Sequence, residues 1–473
     1  MPFDTIPVNI AGPSYQSRSR PLSSQSTINF YHEFDEGGKS PLVLHSWPGE
    51  KLIGAGAAGI GRGSHIMAGV EYRVVGSTLF EVSSAGAHTS RGTVKGSDMC
   101  IFANDGSNMF IVNAGFVQQY SNQSNSIVDV TDPDIAGSIA VAYLNSQFIY
   151  TKTNQFIISD VGDGSSASAL NTAQAESQPD DLVRAYVFDQ IVYMFGVLTT
   201  EPWWNSGSGL PPFDRIDTQM MSIGLSAIHS VANNDSFIYW LGDDRQVYQA
   251  SGGSFNRVSS IAIAHAIEGY AVVSDAVGFT MTMEGQNFYM ITFPTEGKTW
   301  MINEGLGKNG WFQLSADSLG GKYNINSHTF INGKHHFADD TNGNLYELDL
   351  NTYTNNGASI HRTRVMSSIH GGLLNAPGKS VQMSRFELIM ETGVGLITGQ
   401  GEDPIIMIES SIDGGKSFQS ADFVNIGRLG DTSIRVEWWS LITFTDLIIR
   451  MTTSDPVHYT IFSGAIDLRL AGR

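Results

Sequence analysis

The sequence predicts an all-β protein, a six- or seven-bladed β-propeller with a C-terminal β-sandwich platform domain, and three observations carry that expectation. Charged residues make up only 15% of the chain while glycine numbers 51 and aromatics reach 10%, a mix suited to short strands and tight turns rather than long, salt-bridged helices. Paired β-branched and aromatic runs recur roughly every 40–50 residues, the spacing of four-stranded blades. Beyond residue 352 the texture changes to longer alternating runs, which fit a separate antiparallel sandwich.

Seven hairpin-like units mark the repeat: Glu71 to Val82, Met99 to Val112, Ala140 to Val161, Arg184 to Leu198, His229 to Ala250, Gly278 to Pro294 and Thr329 to Leu350. Each sets two apolar runs around a short polar turn, among them Asn145-Ser146, Glu284 to Gln286 and Asn332 to Lys334. Asn, Asp and Gly tolerate the positive φ that tight hairpins demand. The first two units start closer together than the rest and fit within one blade, so the count is six or seven. The propeller is expected over residues 46–352 and the sandwich over 353–473, the latter carrying the runs at Arg385, Pro404, Trp438 and Tyr459. Residues 1–45, with PSYQSRSRPLSSQS near the start, read as an extended N-terminal arm of the kind that packs on a neighbour. Within that arm Tyr15, Arg18 and Arg20 are candidate partner contacts.

The balance of 27 basic against 46 acidic residues gives a formal charge of −19 with no Lys/Arg-rich block. A surface that grips phosphate needs clustered cations, so specific nucleic-acid binding is not expected. Walls of like charge instead suit a passage through which DNA slides without sticking. The single Cys100 excludes an internal disulfide and a Cys-based zinc site and reads as a buried, inert thiol. Met1 to Ala11 lacks the basic and apolar regions of a leader, and no apolar run reaches the length of a membrane span. The expectation is a chain made and assembled in a reducing cytoplasm.

Several motifs invite catalysis and fail on context. Gly54, Gly56 and Gly59 spell GxGxxG, but Gly61, Gly63 and Gly69 interrupt the helix that would have to cap a pyrophosphate. GKS triplets at Gly38, Gly378 and Gly415 lack the upstream glycine of a phosphate loop. Ser411 to Phe418 matches the Asp-box of sialidases, a self-tied hairpin set apart from the catalytic pocket in that family. His335-His336 with Asp339-Asp340 is a poor metal set, because adjacent strand residues point to opposite faces. The sequence therefore predicts no enzyme, no catalytic residues, no cofactor and no metal. Trp203-Trp204, beside a Gly/Pro-rich loop, are either core anchors or contacts to a partner or channel.

Five stretches are similar to one family. They are QSTINFYHE from Gln25, LVLHSWPGEKL from Leu42, AESQPDDLVRAYVFDQIVYMFG from Ala175, TEPWWNSGSGLPPFDRI from Thr200 and SVANNDSFIYWLGDDRQVYQASGGSFNRVS from Ser230. They resemble the packaged-DNA stabilization proteins, the tail hub or nozzle, of short-tailed bacteriophages. The resemblance covers most of residues 20–270, and the carboxyl third shares only its texture. It implies a propeller with a β-platform, present as a homo-hexamer in the virion tail. The implied neighbours are portal and adaptor proteins above and tail-fibre or needle proteins below, with duplex DNA passing through without specific binding. An alternative is a glycan-binding or glycan-cleaving propeller of a tail fibre.

Overall fold

A computed structural model describes residues 2–471 apart from 35–36, 38–39, 57 and 176–179, and leaves out the side chain of residue 420. Glu176 to Pro179 of the AESQPD fragment and the Gly38-Lys39 pair of the first GKS triplet thus lie outside the described residues.

Seven four-stranded antiparallel blades succeed one another around a closed ring. Blades 1 to 6 take residues 61–93, 101–129, 140–173, 182–215, 232–257 and 277–314. Blade 7 combines Ile325–Ile331, Lys334–Asp339 and Asn344–Asp349 with an outermost strand, Gly49–Ala55, that precedes blade 1 in the chain. Each of the seven hairpin units belongs to its own blade. The short first interval arises because Glu71 to Val82 supplies the second and third strands of blade 1, whereas Met99 to Val112 supplies the first and second of blade 2.

The second strand of each blade is buried on both faces, which is why these strands read as continuous apolar runs. In blade 2, Met109 and Ile111 pack toward blade 1 while Phe110 and Val112 pack toward blade 3. In blade 4, Val192 and Met194 face blade 3 while Tyr193 and Phe195 face blade 5. The turns behave as their residues require: Asn145 and Ser146 take φ of 50° and 64°, and Asn332 and Gly333 take 53° and 75°.

The junction between blades 7 and 1 differs from the others. Among the described residues its apolar cluster comprises only Val82, Ala338 and Leu345 as buried members. Polar side chains do the joining. Glu71 of blade 1 accepts a hydrogen bond from Thr329 Oγ1 at 2.8 Å and lies 2.7 Å from His336 Nδ1, all three being buried. Arg73 Nη2 donates to the Asn344 carbonyl at 3.0 Å, and Asn326 Nδ2 donates to the Gly61 carbonyl at 2.6 Å.

The platform is a two-sheet sandwich, as the carboxyl-terminal texture suggests, but it recruits the amino terminus. One sheet runs Phe30–Phe34, Leu42–Ser46, Thr460–Leu470, Val381–Met390 and Val436–Phe444, with Asp4–Val8 also paired to Thr460–Leu470. The other runs Ser24–Ile28, Arg362–Val365, Asp446–Thr453, Ile405–Ser411 and Gln419–Asn425. The segment expected as an extended arm packing on a neighbour therefore forms strands within the chain's own platform. Its polar composition hides this, because its strands are completed by partners such as Thr460, opposite His45.

The Phe30–Ser46 hairpin also couples the two units. Phe30 and Leu44 enter the platform core, whereas Tyr31 and Trp47 enter the core between blades 6 and 7. A parallel bridge from Ile28 to Gln313 continues one platform sheet into blade 6.

The closing strand carries a buried acid. Desolvation, aided by the neighbouring Asp339, pushes the Glu50 carboxyl up to about 8, and Tyr323 donates its hydroxyl hydrogen to it. Folded protein at pH 7 thus keeps a proton that the unfolded chain releases, so stability falls as pH rises toward 8. Relative to Glu50→Gln, the wild type is expected to lose roughly 2–3 kcal/mol between pH 5.5 and 8.5. Paired urea titrations at the two pH values measure this, and equal pH dependence of the two proteins would refute it.

Candidate functional site

The residues singled out for partner contact fall in two places. Trp203 and Trp204 lie on Thr200–Asn205, the third strand of blade 4 counted from the axis. Strand alternation sends them to opposite faces. Trp203 is buried between blades 3 and 4, edge-on to Phe156 with centroids 5.1 Å apart, and its Nε1 donates to Glu201 Oε2 at 3.2 Å. Trp204 is 47% exposed and borders the 206–212 loop, where Leu210 is also exposed. Neither side chain lines the propeller's own axis.

Tyr15, Arg18 and Arg20 sit on the platform side. Tyr15 is half-buried and pairs with Gln25, while Arg18 and Arg20 are exposed on the turn that returns the chain to Ser24–Ile28. Both arginines face a cavity of about 280 Å³ walled by the helix Ile261–Glu268 and Trp300. Arg20 also borders a second cavity of about 360 Å³, beside Glu409, Phe418 and Arg450. Arg450 is paired there with Glu409 at 2.6 Å and lies 4.1 Å from the centroid of the Phe418 ring.

The catalytic-looking motifs are structural turns. Asp413 accepts the backbone N–H groups of Lys416 and Ser417 and the Ser417 hydroxyl at 2.6–3.0 Å, which holds its carboxyl well below the usual range. Gly54 lies on the closing strand, where a Cβ would collide with the Gly86 carbonyl oxygen of blade 1; close backbone approach accounts for that glycine. His335 and His336 point apart, the former toward His328 and the latter toward Glu71. Among the described residues no group of three or more His, Cys, Asp or Glu side chains could hold one metal ion. Burial pushes the Cys100 thiol up to about 12, leaving it protonated. Among the described residues no helix is long and apolar enough to cross a membrane.

Sequence reading missed the axial cavity. Its lining comes from the inner strands, or the residues just before them, of blades 1, 2, 4, 5, 6 and 7, and its volume is about 330 Å³. His65, Arg184, Tyr186, His229 and His328 are the titratable groups there besides Cys100. Period-two alternation at Arg184 and Tyr186 is visible in the sequence, but which face meets the axis depends on ring closure.

A profile of the family described as Bacteriophage P22 Gp10, beta-propeller, matches residues 4–353. The chain belongs to this family. It is a bacteriophage structural protein by that membership, and the seven blades and closing strand fall within the matched residues. A search of curated protein sequences finds no match. Among solved structures, the extracellular domain of a hybrid two-component system from B. thetaiotaomicron aligns over 76% of this chain, at 10% identity and a TM-score of 0.45. This chain spans 46% of that structure's length. BamB from Moraxella catarrhalis aligns over 73% of this chain and 96% of its own, at 11% identity and a TM-score of 0.40.

Proposed function

We propose that the chain is the tail-hub or nozzle subunit of a short-tailed phage particle. Six copies form a ring beneath the portal and adaptor proteins, and the bore between copies retains the packaged genome and passes it during ejection. The family match over residues 4–353 carries this reading. Two physical features support it. The axial cavity, at about 330 Å³, is too small to hold a duplex whose major groove alone is about 12 Å wide, which favours a conduit between subunits over one through the propeller. The charge of −19 without a basic cluster favours a lining that repels phosphate.

A closed ring needs heterologous contacts, and Trp204, Tyr15, Arg18 and Arg20 are the proposed contact residues, with Trp203 holding its strand from within the core. The role asks for shape and placement, not for a reacting centre. A cryo-EM reconstruction of assembled tails is expected to place six copies around the bore. Purified protein should bind duplex DNA feebly even at low salt, where screening is least. Tight binding with a steep salt slope, or absence of the chain from particles, would overturn the proposal.

A further inference from the structure

We propose that the axial cavity of the propeller is a binding site for a small oxyanion of the phosphate class, held by Arg184 and His229. In a chain carrying 46 acidic residues, none of the cavity's lining residues is Asp or Glu. Arg184 has no ion-pair partner among the described residues. Its Nη1 donates to the Ile228 carbonyl at 2.7 Å, its plane lies over Tyr186 at 5.0 Å, and its Nε is buried without an acceptor. A guanidinium so placed lacks the countercharge that normally offsets its desolvation.

The remaining polar lining is neutral, and part of it is already engaged: Tyr186 donates its hydroxyl to Asn233 Oδ1, Thr280 Oγ1 to the Asn233 carbonyl and Asn326 Nδ2 to the Gly61 carbonyl. Burial and the nearby Arg184 charge hold the His229 imidazole down at about 3, so it enters the cavity neutral, with one N–H to give. Asn104 Nδ2 donates to His65 Nε2 at 2.6 Å, which places the His65 proton on Nδ1. Ser64 and Ser327 meet across blades 1 and 7 at 3.1 Å. Donors arriving from separate blades suit a tetrahedral ion that accepts from all sides better than a planar carboxylate. The volume of about 330 Å³ holds such an ion with several waters, each needing about 30 Å³, and excludes a nucleic-acid strand in transit.

Calorimetric titration of the full chain with inorganic phosphate, at ionic strength matched by sodium chloride, tests the site. One saturable phosphate per chain is expected, displaced by sulfate and not by acetate. Arg184→Met should weaken binding at least about tenfold, the loss expected of one charged donor. His229→Asn should weaken it less, and Arg428→Met, an exposed arginine on the platform, should leave it unchanged. Near-ultraviolet circular dichroism establishes that each variant is folded, and His229→Asn carries the test if Arg184→Met is not. Absence of saturable binding, displacement by acetate as readily as by sulfate, or a folded His229→Asn variant with wild-type affinity would overturn the site.

Discussion

Glu71→Ala is expected to unfasten the propeller ring, at a cost of about 3–5 kcal/mol. The carboxylate is 1% exposed and satisfies Thr329 Oγ1 and His336 Nδ1 on blade 7. Truncation leaves both partners buried without an acceptor, and removes a negative charge beside Arg73, whose guanidinium burial already pushes down to about 10. Other blade junctions would survive such a loss on their apolar contacts, but among the described residues this one's apolar cluster has only Val82, Ala338 and Leu345 buried. Glu71→Gln, which keeps an acceptor for Thr329, should cost less. Chemical denaturation of both variants measures the difference. A loss under about 1 kcal/mol for Glu71→Ala would mean that strand pairing with Gly49–Ala55 alone closes the ring.

Arg364→Met is expected to release the amino-terminal strands from the platform, again with a loss of about 3–5 kcal/mol. Arg364 is 1% exposed and donates to the carbonyls of Ile10 and Pro13 at 2.7 and 3.1 Å, to Thr27 Oγ1 at 2.9 Å and to Gln25 Oε1 at 2.8 Å. Its acceptors are neutral, and desolvation pushes the guanidinium pKa down to about 9. Methionine fills the space without replacing the donors, so the buried Ile10 carbonyl and the half-buried Pro13 carbonyl lose their partner. Hydrogen exchange should then speed up across residues 4–28 while the inner blades keep their protection, and deletion of residues 2–13 should mimic the change. Unchanged exchange in residues 4–28 would show that strand pairing, not the guanidinium, anchors this segment.

The propeller was legible because its second strands are buried on both faces, so local composition alone reveals them: Met109 to Val112 and Ile191 to Phe195 need no knowledge of their partners to read as strands. Turn chemistry at Asn145-Ser146 and Asn332-Gly333 is equally local, since positive φ is a property of the residue itself. The single cysteine likewise rules out an internal disulfide without a fold. The sequence by itself therefore determined the β class, the blade repeat and the family resemblance. Ring closure, the recruitment of residues 4–46 into the platform and the convergence of Arg184 with His229 were decided only by tertiary structure. Glu71 meets His336 across 265 residues and Arg364 meets Ile10 across 354, and no local period encodes which distant strand completes a sheet or which side of an inner strand faces the axis.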